Sequence, residues 1–311
     1  MLKWLSIAAI FLLLQGGQDT DQLTIMNDGN VVSTVSREEH ALDVFPLMDM
    51  EKYEAWVEQV DRKIYHEAQN ARIGSSGQII PGQNGYRLHR GKLLEQYQAY
   101  RYGTGPVTIE APRLPIYPKV DSEVLASIRV KPIGYYVTYY NSRNKNRTHN
   151  INLASRAIDS FVVFPGEVFS FNQVVGIRTP GRGYLPAPVI VRGELSEGVG
   201  GGICQVSSTL FNAIDRAGLK IVQRYSHSRN VPYVPPGRDA TVSWGGPDFV
   251  FENAYNEPVL IRAFSGGGKM TVSVYSSEHI EYKPREVPSI SRRLPEETKD
   301  EPQDHDPVSR D

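Results

Sequence analysis

The chain has one cysteine in 311 residues, Cys204. That excludes an intramolecular disulfide and any zinc or iron–sulfur site built from a cysteine cluster. It also lacks charge of one dominant sign: 34 Lys and Arg against 35 Asp and Glu leave a net charge of -1. A nucleic-acid binder carries a basic excess, so no nucleic-acid partner is expected. The seven histidines are scattered, with no HExxH and no His-x-His pair. Neither a metal nor a cofactor is expected. Trp4–Leu14 is an apolar run of eleven residues broken only by Ser6. Eleven residues are too few to span a bilayer comfortably as a helix.

That run follows Met1-Leu2-Lys3 and ends at Gln15-Gly16-Gly17-Gln18. A short charged start and an apolar core are the pattern of a signal peptide. Residues 1–18 are therefore read as a signal peptide or short anchor, and the protein as exported to the cell envelope or beyond. No clean small-x-small cleavage site follows. An uncleaved anchor, the sole membrane contact in that case, and a buried N-terminal helix are the alternatives. No cysteine lies near this segment, which excludes a lipoprotein anchor.

The lone thiol sits in Gly198-Val199-Gly200-Gly201-Gly202-Ile203-Cys204-Gln205. Ile203, Val206, Leu210, Ile214 and Ala217 then recur at offsets of three and four, and Gly218 follows. The spacing predicts a helix from about Ile203 to Ala217, with a glycine cap at its end. Cys204 falls in the first turn, where free N–H groups and the helix dipole favour a thiolate. A free cysteine ionises near pH ~8.5 and such surroundings lower that. Gly201 and Gly202 tolerate positive φ and let a substrate come close to the backbone; their N–H groups are candidate oxyanion donors, with Gln205 a further one. The bland alternative is a small buried hydrophobe after a turn. Export weighs against it, because an unpaired thiol outside the cytoplasm is prone to mispairing.

Elsewhere the pattern mixes short strands and helices. Residues 19–120 read as a small α+β module. It has strands at 23–25 and 31–35, a helix from Met48 to about Ala71, a turn through Pro81 and Gly85, a helix at Arg90–Tyr102 and a strand at Val107–Ile109. A proline-rich boundary lies near 111–120. Residues 125–275 form a second domain. Its expected strands are 135–140, 161–164, 240–244, 249–253, 259–263 and 270–275, with a helix at 151–160. From residue 276 to 311 the chain is polar and few-apolar and is expected to be disordered. The fold class is α+β: short strands around one strong helix, preceded by a smaller α+β domain.

Four motifs appear in order. They are Phe164-Pro165-Gly166-Glu167-Val168-Phe169-Ser170-Phe171-Asn172, Gly200-Gly201-Gly202-Ile203-Cys204-Gln205-Val206-Ser207-Ser208, Ser226-His227-Ser228 and Gly237-Arg238-Asp239-Ala240-Thr241-Val242. Together they resemble the VanW family, named for an accessory protein of vancomycin B-type resistance, over about residues 130–275. The resemblance implies a cell-envelope protein. It further implies a cysteine-dependent L,D-transpeptidase, or L,D-carboxypeptidase, acting on peptidoglycan stem peptides. Ser226-His227-Ser228 lacks a following Gly-Cys, so the chain is not of the transpeptidase type whose motif is Ser-His-Gly-Cys. The turn through Pro81 and Gly85 and the helix after it resemble the α+β modules that accompany peptidoglycan cross-linking enzymes. That likeness implies wall binding, with a plain spacer domain as the alternative.

A thiolate needs a base, and the base needs an orienting group. His227 is the candidate base, in a polar stretch between the helix and the later strands; a structural histidine is the alternative. Asp239 is the candidate orienter, at a turn; an ion pair with Arg238 or a backbone-capping role is the alternative, and Asp248 the substitute. Stem peptides carry carboxylates, which arginine binds as a fork. Arg178, Arg182 and Arg192 precede the glycine loop and Arg229 follows His227; each is also readable as a solvated surface charge. Tyr184 and Trp244 are candidate groove walls or core. A non-catalytic wall-binding or scaffold protein, with Cys204 structural, is the competing function.

Overall fold

A computed structural model describes residues 21–42, 47–191 and 194–289. The 1–18 segment, Arg192 and the tail beyond residue 289 lie outside the described residues. The chain forms two units. One takes the described residues up to Gln69 and then Gln83–Lys119; the other takes Asn70–Gly82 and the chain from Val120 onward.

In the first unit, Asp28 and Gly29 both take positive φ, 52° and 79°. That is the turn which matches strand twist, and it joins β1 (Gln22–Asn27) to β2 (Asn30–Ser36) as an antiparallel hairpin. Next comes α1 (Met50–Ile64), capped by Asp49, which accepts from Glu51 and Lys52 N–H. The helix expected to reach Ala71 stops at Ile64, because His66 and Gln69 form bridges to Tyr86 and Gln83. The chain then contributes β3 (Arg72–Ile73) and β4 (Ile79–Ile80) to the second unit and returns with β5 (Gly85–Leu88), α2 (Arg90–Tyr102), β6 (Val107–Glu110) and β7 (Arg113–Ile116). β6 pairs parallel with β1, and β7 pairs with β5. The stretch near 111–120, read as a proline-rich boundary, carries β7 and ends where the two units divide. Leu23, Ile25, Trp56, Val60, Leu93, Tyr97 and Tyr100 are among the residues of one core.

The second unit is built on α3 (Ser122–Ile128), β8 (Lys131–Tyr139), α4 (Lys145–Ile158), β9 (Phe161–Val163), β10 (Val168–Ser170), α5 (Phe171–Val175), β11 (Pro186–Val191), β12 (Glu194–Val199), α6 (Ile203–Arg216), β13 (Lys220–Gln223), β14 (Val250–Glu252), β15 (Val259–Gly266) and β16 (Lys269–Ser276). An antiparallel sheet runs β8-β16-β15-β9; a smaller one runs β10-β14-β13. α6 packs on β8 and β16, and α4 packs on β15 and α6. The other side of strands β9 and β15 supplies Val162 and Leu260 to a smaller cluster with Ala71, Ile73, Leu125 and Ile128. This is the α+β class read from the sequence, with α6 at its centre: every residue from Gln205 to Ile214 is buried.

Two expectations are corrected here. Residues 277–289 are not a disordered tail. Ile280 and Val287 are buried in the main core, and each such side chain contributes about 1.5–3 kcal/mol. Arg285 pairs with Asp215 at 2.8 Å, and Tyr136 Oη donates to Pro288 O at 2.9 Å. The strand expected at 240–244 is also absent. Helix side chains take the place of its partner strand, and they build the site.

Candidate active site

α6 begins at Gly202, which has φ 104°. A Cβ there would lie 2.9 Å from Ile151 Cγ1 and 3.0 Å from Arg147 Cγ; at Gly201 it would lie 2.5 Å from Pro188 O. These glycines therefore let α4 and β11 approach the helix start. They do not hold space for a substrate, as the sequence suggested. Ile203 N–H and Gln205 N–H donate to Gly200 O and Gly202 O at 3.2 and 3.1 Å. Cys204 N–H has no acceptor among the described residues. It is the free amide of the first turn, beside a half-buried thiol.

One face of α6 holds the segment that carries Asp239. Ser208 Oγ accepts Ala240 N–H at 2.9 Å, and Ser207 Oγ donates to Ala240 O. Asn212 donates to Arg238 O and accepts Arg238 Nε, both at 2.8 Å. Asp215 takes the same guanidinium at 2.7 Å. Thr241 N–H reaches Tyr225 O at 2.8 Å, so the strand-to-loop segment after β13 lies alongside. β13 runs back from the end of α6, and this returns His227 to the start of the helix.

There, His227 Nδ1 and His227 N–H both meet Asp239 Oδ2 at 2.6 Å. The side chains are 7% and 8% exposed. A carboxylate only accepts, so Nδ1 carries the proton and Nε2 is the nitrogen left for the thiol. The thiol and the His227 ring lie close enough that each shifts the ionisation of the other. The thiol also donates to Val242 O at 3.6 Å and lies 3.7 Å from Thr241 Oγ1. Burial pushes the Cys204 thiol up, but His227, with smaller contributions from the backbone at Val242 and from Thr241, outweighs it and the net direction is down. Burial lowers His227, while Cys204 and Asp239 raise it, and the net direction is up. Burial raises Asp239; the two bonds from His227 win and hold it below the usual carboxylate range. Opposite shifts on neighbours favour movement of the thiol proton toward an imidazole that a carboxylate orients.

Residues 146–275 match the family described as VanW like protein. Over 293 residues the chain is 56% identical to uncharacterized protein YoaR of Bacillus subtilis (strain 168), covering 94% of this chain and 97% of that protein. The chain belongs to the VanW family. It is also 32% identical over 114 residues to vancomycin B-type resistance protein VanW of Enterococcus faecalis (strain ATCC 700802 / V583), covering 35% of this chain and 42% of that one. No solved structure matches the chain.

The segment matched to the VanW family contains Cys204, His227 and Asp239, and the other candidates sort around them. Gln205 does not face the thiol: its amide donates to Thr138 Oγ1 and Tyr139 O, both at 2.9 Å, and the side chain is buried. That corrects its reading as an oxyanion donor. Arg238 pairs with Asp215, not Asp239. Asp248 accepts Ser170 Oγ and Asn172 N–H, so it organises α5 and is no substitute orienter. Arg182 and Arg229 are exposed, on the turn after α5 and on the loop after His227. Tyr184 is core, at 4% exposure; Trp244 lines a shallow groove with Asn172, Gln173, Gln223 and Asp248. Arg178 is the residue that sequence reasoning undervalued. Both of its terminal nitrogens are buried without a partner, which no composition signal discloses.

The pair sets a pH dependence. Wild-type Cys204 should alkylate with iodoacetamide below the pH at which a free thiol stops reacting, because its thiolate is favoured by His227. In His227→Ala the lowering influence is lost and burial remains. The alkylation midpoint is then expected to move up past that of a free peptide thiol. A stopped-flow alkylation profile in which the two proteins share one midpoint contradicts the pairing.

Proposed function

We propose that this VanW-family protein is an exported cell-envelope enzyme. It transfers acyl groups of peptidoglycan stem peptides through a thioester on Cys204, as a cysteine L,D-transpeptidase does. The observation that carries this reading is the Cys204–His227–Asp239 triad at the first turn of α6. The name of the Enterococcus relative, a vancomycin B-type resistance protein, supports the cell-wall setting. The apolar run Trp4–Leu14 supports export.

The Cys204 thiolate attacks the carbonyl carbon of the third stem residue. Negative charge moves to the carbonyl oxygen, next to the free Cys204 N–H. The carbon–nitrogen bond breaks, and the departing terminal D-alanine takes its proton from the His227 imidazolium. An amine of a neighbouring stem then attacks the thioester, gives its proton to His227 Nε2 and frees the thiolate. Water in place of that amine makes the reaction an L,D-carboxypeptidase. Asp239 stays ionised and holds the ring throughout.

The test is direct. Purified protein incubated with a stem tetrapeptide and quenched in acid should gain the mass of the tripeptide acyl group on Cys204, with free D-alanine released. Absence of both overturns the reading and leaves a wall-binding or scaffold protein.

A further inference from the structure

Arg178 lies between α5 and the 3-10 turn Pro180–Arg182. Its aliphatic stem packs on the glycine loop before Cys204: a Cβ built at Gly200 would lie 3.3 and 3.5 Å from Arg178 Cβ and Cγ. Its guanidinium carbon is 5.7 Å from the Phe171 ring centre. NH1 and NH2 are both buried, and neither has a hydrogen-bond partner among the described residues. Asp248 is within its field but is engaged by Ser170, Asn172 and Phe249. Tyr184, Cys204 and the like-charged Arg182 are its other electrostatic neighbours.

A guanidinium stays charged and carries five N–H donors. Holding it buried with its terminal donors idle is costly. Burial pulls Arg178 down from the ordinary arginine value, which measures the same cost. Structural arginines in this unit are placed otherwise: Arg238 and Arg285 both reach Asp215, and Arg262 reaches Asp159. Arg178 alone among these lies within electrostatic reach of Cys204 with its terminal nitrogens unpartnered among the described residues.

We propose that Arg178 binds the free C-terminal carboxylate of the donor peptide, so that Cys204 attacks only the last peptide bond of a chain. This rests on the acyl-transfer reading above. In a peptide whose final residue departs, the terminal carboxylate carbon lies about 4 Å from the carbon under attack, by standard bond lengths. A fork whose stem packs on the loop before the sulfur can meet it in bidentate fashion. An internal bond presents a neutral amide at the same place. It leaves the buried charge uncompensated, the kind of mismatch that discriminates strongly.

Two measurements on the full chain test this. The first compares iodoacetate with iodoacetamide at Cys204. The anion is expected to gain at least about tenfold over its relative rate with a free thiol, one charge contact's worth. Arg178→Met should lose that gain and Arg178→Lys keep part of it. The second compares acylation by the same stem peptide ending in a carboxylate or a carboxamide. The acid should be favoured about 10²–10³-fold in kcat/KM, and Arg178→Met should collapse the ratio. The Tm of Arg178→Met should hold or rise, since an unpaired buried charge is removed.

A free-thiol ratio in the wild type overturns the proposal. So does equal acylation by acid and amide, in which case acyl transfer itself stands. An arginine acting on the oxyanion would slow both donors alike and leave the ratio intact, which also overturns it. A lowered Tm with an unchanged ratio assigns Arg178 to packing. If neither donor acylates the thiol, the acyl-transfer reading and this proposal fall together.

Discussion

Cys204→Ala is expected to lose acyl transfer altogether, with the rate falling about 10⁴-fold or more, as removal of a covalent nucleophile does. No other group beside His227 can form the thioester, since the chain has no second cysteine. Folding should survive. The sulfur makes two long contacts, 3.7 Å to Thr241 Oγ1 and 3.6 Å to Val242 O. Burial already disfavours its charge. The Tm should therefore stay within about 3 °C of the wild type. Cys204→Ser is the sharper control. An alcohol of the same shape ionises far above a thiol, so His227 cannot hold it as an anion, and its rate should lie near that of alanine. In a cell, the wild type should change the muropeptide profile and both variants should not. An unchanged profile change in Cys204→Ala removes the enzyme reading.

Much of this site was legible before the fold was known, and the reason is local. The start and end of α6 are written in glycines and in a spacing of three and four, so Cys204 could be placed in a first turn. His227 and Asp239 lie in short polar strings that suit a base and its orienter. What was hidden depends on contacts distant in the chain. Ala240–Val242 has strand-like residues, yet its backbone bonds go to Ser207 and Ser208 of α6 and to Tyr225. Gln205 neighbours Cys204 in sequence but points to Tyr139, because successive helix residues diverge by about 100°. Residues 277–289 look too polar to order, but Arg285 finds Asp215 and Arg216 binds Val287 O at 2.6 Å. Arg178 reads as a surface charge until the glycine loop and Phe171 are seen to cover it.

Asp239→Asn separates a triad from a mere pair of reactive groups. Asp239 Oδ2 accepts two N–H groups of one residue, backbone and ring, each at 2.6 Å. Asparagine keeps an accepting oxygen, so the loop should hold its shape, but the charge that stabilises the imidazolium is gone. If the amide nitrogen turns to the ring instead, Nδ1 must accept and the proton moves to Nε2, the wrong tautomer to receive one from the thiol. Either way the rate should fall about 10³–10⁴-fold. His227 is held up by Cys204 and by Asp239. With Asp239 neutral the imidazolium is more acidic and the thiol loses part of its support. The iodoacetamide profile of Asp239→Asn should therefore shift upward, by less than that of His227→Ala. Asp239→Ala goes further. It strands the His227 backbone N–H beside a buried position, at about 1–3 kcal/mol, and its denaturation midpoint should drop where that of asparagine holds. An Asp239→Asn protein within about threefold of wild type, a margin of well under 1 kcal/mol in barrier, means that the carboxylate holds the loop and not the chemistry.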